Sequence, residues 1–129
     1  MSVVVATYNV LADSYIKASY YPLTMPEQLD PTRRRPRLVE RIAGLGAEVV
    51  CLQEVEGEFF RAASAGLAGA DGRLELKGKN KPDGCAVLSR RPVKSHRAIR
   101  YADGTGHVAL LVEIEEAGRR LGVATTHFR

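Results

Sequence analysis

Val49-Val50-Cys51-Leu52-Gln53-Glu54-Val55 decides how the chain is read. The apolar run predicts a buried strand over residues 47–55, with Glu54 at its end. The carboxyl edge of an α/β sheet is where side chains are offered to a ligand. A carboxylate there is held more rigidly than one on a loop. A hard cation such as magnesium wants oxygen ligands and keeps several waters, so one well-placed Glu can anchor it. From spacing alone, a solvated Glu just past a strand is the better reading.

Working outward, Gly44 and Gly46 close a helix marked by the stripe Leu38, Ile42 and Leu45. Asp30-Pro31-Thr32 gives that helix its start, with a capping side chain and a proline in the first turn. Arg34, Arg37 and Arg41 lie off the stripe, and Arg33-Arg34-Arg35 is read as an exposed helix face. Residues 10–31, with Tyr15, Tyr20, Tyr21, Pro22, Pro26 and Pro31, have no periodicity, and loops of this length are usually functional or disordered. Residues 2–9 predict a central strand buried on both faces, ending in the Asn9 amide. If it runs parallel to 47–55 through the helix, Asn9 and Glu54 emerge on one edge, where the amide either serves the Glu, a metal-bound water or a phosphate, or simply caps a turn.

Downstream the pattern gives a helix over 58–67, then strands over 74–77, 84–89, 94–101, 108–115 and 120–126. Asp103-Gly104 and Ala117-Gly118 supply turns between the later strands. The expected class is α+β: one mixed sheet with helices on its outer face. A chain of 129 residues with 45% hydrophobic and 26% charged residues is not disordered. Its longest apolar stretches are too short to span a bilayer, so no membrane partner is expected. The start Met1-Ser2-Val3-Val4 reads as a strand and not a signal peptide, which points to a cytoplasmic location. Cys51 and Cys85 are expected as free, buried thiols. The net charge of +4, from 19 Lys plus Arg against 15 Asp plus Glu, permits a polyanionic partner without proving one.

Four motifs then follow in order: Thr7-Tyr8-Asn9-Val10-Leu11-Ala12, Cys51-Leu52-Gln53-Glu54-Val55, Asp83-Gly84-Cys85-Ala86-Val87-Leu88 and Thr125-Thr126-His127-Phe128. Together they resemble the endonuclease/exonuclease/phosphatase superfamily. A Tyr21-Pro22 loop before an Arg-rich helix, and the cysteine after Asp83-Gly84, resemble its deadenylase and nocturnin-like branch. The resemblance implies that Glu54 binds the catalytic magnesium, with manganese as the alternative ion, and that Asn9 lies beside metal and scissile phosphate. It implies that His127 lines the site, with Thr125 standing where the family has Asn and Phe128 where it has Leu. Lys79, Asn80 and Lys81, with Lys77, precede Asp83-Gly84. In a nuclease they would bind substrate phosphates, and a plain solvated loop explains them equally well. His96 and His107 match no motif and are read as surface or hairpin residues.

The family carries two further motifs, Asp-x-Asn and Asp-His, which are absent from residues 1–129. The resemblance therefore implies the amino-terminal half of a four-layer αββα domain. The implied activity is magnesium-dependent phosphodiester hydrolysis, with RNA or a nucleotide as substrate, incomplete as it stands. The inner sheet face is expected to be apolar and bare, so the missing half or a self-associated copy is the expected partner. The alternative is a non-catalytic nucleic-acid-binding or regulatory module on the same scaffold.

Overall fold

The computed structural model describes residues 2–128. Strand β1 (Val5–Asn9) leads through two single 3-10 turns, helix α1 (Pro26–Leu29) and helix α2 (Pro31–Gly44) into β2 (Val49–Glu56), which pairs parallel to β1. Helix α2 begins where Asp30-Pro31-Thr32 predicts. The Asp30 carboxylate accepts from the Thr32 N–H at 2.9 Å and the Thr32 hydroxyl at 2.8 Å, and both donors hold its pKa below the usual range. Helix α3 (Gly57–Gly66) follows β2 directly. Strands β3 (Asp71–Leu76) and β4 (Asp83–Ser89) then complete a mixed sheet in the order β1-β2-β4-β3.

Strand β1 is thus an edge strand, not the central one its β-branched residues suggested. Val4 and Val5 are half exposed. The two-sided burial belongs to β2 and β4, which lie in the middle of the sheet.

The chain's last strands, β5 (Val93–Arg100), β6 (Val108–Glu116) and β7 (Arg119–Thr126), form a separate antiparallel sheet in sequence order. Ala117 and Gly118 join β6 to β7 with φ of 49° and 74°, the positive pair that a tight hairpin turn requires. This second sheet overturns the expectation of a bare inner face. Val49, Cys51, Cys85 and Val87 of the first sheet pack against Leu110, Val112, Ile114 and Val123 of the second. The opposite face of the first sheet carries Val50, Leu52, Val55, Ala86 and Leu88, sealed by Ile42 of α2 and by Phe59 and Ala63 of α3. Each such fully buried aliphatic side chain contributes roughly 1.5–3 kcal/mol. The α+β class and the mixed sheet with its helices on one face are as expected, with a β-sandwich interior added. Cys51 and Cys85 are free and buried, and burial pushes the Cys85 thiol up to about 11.

Candidate active site

Glu54 does not end its strand. Side chains along β2 alternate between the two cores, with Val50 and Leu52 toward the helices and Val49 and Cys51 toward the second sheet. Continued regularly, that alternation would bury Glu54 beneath the helices. Instead the register with β4 slips between Leu52 and Val55, and Val55 takes the helix-facing place. Glu54 sits in this bulge at φ 56°, a left-handed conformation that costs a non-glycine residue about 1–3 kcal/mol. The bulge turns its carboxylate out of the core.

The segment after β1 is fastened onto that bulge. Asn9 Oδ1 accepts the Leu11 N–H at 2.9 Å, and Glu54 Oε2 accepts the Ala12 N–H at 3.3 Å. Glu56 takes the Ser14 N–H at 2.8 Å and the Ser14 hydroxyl at 2.9 Å. The Tyr15 hydroxyl donates to Asp83. The start of the long loop is therefore a fixed wall of the site. Arg34, expected on an exposed face, turns inward and binds this wall through Asp13 and the Val10 carbonyl.

His127, just beyond β7, arrives from the second sheet. Its Nε2 lies 3.5 Å from Asn9 Nδ2. Thr125, which stands where the family motif has Asn, is buried and accepts from Gln53 Nε2 at 2.9 Å; the same nitrogen donates to Thr7 Oγ1 at 3.0 Å. Gln53 of β2 thus ties β1 and β7 together. Phe128, in the Leu position, is exposed and stacks on Tyr101 with centroids 6.1 Å apart.

Opposite these groups lies the loop between β3 and β4. A cleft of about 270 Å³ is lined by Tyr15, Glu54, Lys77, Lys81, His107 and His127. Of the loop residues singled out in the sequence, Lys81 lines the cleft, Lys79 turns its ammonium to the Gly104 carbonyl, and Asn80 is not among the lining residues. Lys77 is the buried member, paired with Asp83 at 2.7 Å with side chains 4% and 0% exposed. Gly84 makes that burial feasible: a Cβ there would stand 1.9 Å from the Glu75 carbonyl oxygen of β3. His107 does lie in the connection of the β5–β6 hairpin, its carbonyl accepting the Tyr101 N–H at 3.1 Å, but it is not a surface residue. It is buried beside the cleft, where Gly78 N–H to Gly106 O at 2.9 Å binds its turn to the basic loop. Sequence reading missed His107 and Tyr15 as cleft residues; the only signal was the glycine-rich turn, Gly104-Thr105-Gly106, that precedes His107. His96 is exposed on β5, as expected, and accepts from Arg73 at 3.3 Å.

The cleft is polar and electrically divided. Burial, the hydrogen bond to Asp83 and the carboxylates of Asp83, Glu54 and Glu56 push the Tyr15 phenol far above the usual tyrosine range. Cations of Lys77 and Lys81 border the same space. Among the described residues, no group of three or more His, Cys, Asp or Glu is gathered to hold a metal ion. The donor set near Glu54 is a carboxylate with one oxygen held by Ala12, beside the Asn9 amide and the His127 imidazole. That set fits magnesium, which binds through one or two carboxylates and keeps its waters, and not a four-ligand zinc centre.

Comparison with known proteins agrees with this fold. A sequence model of the Endonuclease/Exonuclease/phosphatase family matches residues 6–126. Carbon catabolite repressor protein 4 homolog 2 of Arabidopsis thaliana is 34% identical over 105 residues, covering 74% of this chain and 17% of its own length. The CCR4-Not complex 3'-5'-exoribonuclease subunit Ccr4 of Saccharomyces cerevisiae is 29% identical over 99 residues, covering 67% of this chain and 12% of its own length. The chain thus spans less than a fifth of these relatives. Among solved structures, ANGEL2, a 2',3'-cyclic phosphatase bound to adenosine-2',3'-vanadate, superposes with a TM-score of 0.84 at 22% identity, covering 98% of this chain and 41% of that one. Among the described residues no helix is long and apolar enough to cross a membrane.

Proposed function

The chain belongs to the endonuclease/exonuclease/phosphatase family, and on that premise we propose that it is the amino-terminal part of a magnesium-dependent phosphodiesterase acting on RNA or a nucleotide. The observation that carries this reading is the meeting of Asn9, Glu54 and His127, delivered by three strands to one end of the sandwich. When bound, a divalent cation would neutralise charge on the phosphoryl oxygens as a Lewis acid. Glu54 would be the residue that holds that cation, its carboxylate oriented by the Ala12 N–H on Oε2. Asn9, fixed by the Leu11 N–H, directs its amide nitrogen toward the same space. His127 donates to a phosphoryl oxygen or shares a proton with it. Lys81 supplies positive charge for the substrate's phosphates, with Lys79 and Asn80 in the same loop, while Lys77 stays in its buried pair with Asp83.

The RNA or nucleotide preference draws on the exoribonuclease among the relatives and the adenosine ligand of the structural neighbour. Free, buried Cys51 and Cys85 suit a reducing cytoplasm. The residues that would position the attacking water belong to the Asp-x-Asn and Asp-His motifs, which residues 1–129 lack, so this segment alone is expected to turn over little or no substrate. The missing half of the domain would be its partner; with the inner face covered, a self-associated copy has lost its rationale.

The test is a Mn²⁺ titration of the purified chain, followed by electron paramagnetic resonance, with Glu54→Gln as the comparison. Loss of ion binding in the variant supports the enzyme reading. Equal binding in both proteins, together with salt-dependent RNA retention by both, would favour a nucleic-acid-binding module instead.

A further inference from the structure

Leu11 stands at φ 57°, a conformation that leucine rarely adopts. Something must hold it, and the hydrogen bonds around it identify the holder. Arg34 Nη2 donates to the Val10 carbonyl at 2.9 Å and to the Leu11 carbonyl at 3.3 Å, while Nη1 binds Asp13 at 2.5 Å. These two carbonyls share their peptide planes with the N–H groups of Leu11 and Ala12. Those N–H groups are the donors to Asn9 and to Glu54. A trans peptide is rigid and points its C=O and N–H in opposite directions, so neither group can turn without the other.

We propose that Arg34 is a positioning residue for the ion-binding end of the site, setting Asn9 and Glu54 through two consecutive peptide planes. The inference rests on the reading of Glu54 as the ion's ligand. The guanidinium, whose side chain is 14% exposed, lies on the carbonyl side of the strained turn, and the two ligand-bearing side chains lie on the amide side. It acts without touching either of them. Arg35 supports the arrangement from outside, reaching Asp13 at 3.5 Å and Glu58 at 3.2 Å. The planar fork is needed: a lysine ammonium is a point charge that cannot span two carbonyls and a carboxylate in one fixed plane. Arg33, next in sequence, is exposed and takes no part.

The experiment is a Mn²⁺ titration of the chain and of Arg34→Lys, Arg34→Ala, Arg33→Gln and Glu54→Gln, read by electron paramagnetic resonance. Amide ¹H–¹⁵N spectra and thermal melts accompany each variant. Both Arg34 variants are expected to bind the ion about 10–100-fold more weakly, the range for groups that orient a metal ligand from behind. The Leu11 and Ala12 amide resonances should move in both, Arg33→Gln should match the wild type, and millimolar guanidinium should restore binding to Arg34→Ala but not to Glu54→Gln. If Glu54→Gln loses binding while the Arg34 variants keep it, the inference is wrong and the reading of Glu54 stands. Loss of binding that tracks loss of fold, with no rescue by guanidinium, also overturns it by making Arg34 merely structural. If Glu54→Gln binds like the wild type, the reading of the site fails first and the inference falls with it.

Discussion

Removing Lys77 should show how the basic side of the cleft is held. The ammonium lies 2.7 Å from Asp83 Oδ2, with both side chains almost wholly out of solvent. At an effective dielectric of 20, that separation gives about 6 kcal/mol of attraction. Desolvation of two ions costs several kcal/mol each, so the intact pair contributes little net stability. Breaking it is another matter. Lys77→Met leaves a fully buried carboxylate with only the Tyr15 hydroxyl as a side-chain donor, and such stranded charges cost about 3–5 kcal/mol. Asp83→Leu strands the ammonium at similar cost. The double variant removes both charges and should recover most of the loss, so the coupling in the cycle is large and favourable. Urea unfolding of the four proteins measures this. Each single variant should move the midpoint by roughly 2 M for an m-value of about 2 kcal/mol/M. Single variants within a few tenths of a molar of the wild type, or a double variant as damaged as the sum, would show that the pair is not a dry, closed contact.

Tyr15 gives a pH signature. Its phenol is held protonated in the fold, so the stability it contributes is complete below the ordinary tyrosine pKa of about 10 and drains away as pH rises above that. Tyr15→Phe should cost about 1–2 kcal/mol at pH 7 and flatten the alkaline limb of stability measured by denaturant titration; an unchanged limb contradicts the assignment. Gln53→Leu leaves the Thr7 and Thr125 hydroxyls without their shared donor. It should cost about 1–3 kcal/mol and shift the His127 imidazole resonances, because β7 loses its tie to β2; a native His127 spectrum refutes that tie.

Local signals were read well from the sequence and long-range ones were not. Asp30-Pro31-Thr32 marks the start of α2 because a cap is made by neighbours in the chain. The bulge at Glu54 left a faint trace, a parity slip from Val50 and Leu52 to Val55, which a continuous apolar run conceals. The clean alternation of Val108, Leu110, Val112 and Ile114 specifies a sheet with one buried face, but not the partner that buries it, so the second sheet went unforeseen. Arg34 and His107 owe their roles to partners far along the chain, and no spacing rule reaches them. The comparisons supply the family, while the arrangement of Glu54, Asn9 and His127 comes from strand pairing.

Asn9 and Glu54 belong to one sheet, and His107 and His127 arrive with the other. The gap they frame is therefore gauged by the thickness of the apolar layer between the sheets, as the jaws of a calliper are set by its slide. A methylene added at Val112 or removed at Leu110, deep within that layer, would open or close the jaws without altering any residue that lines the cleft.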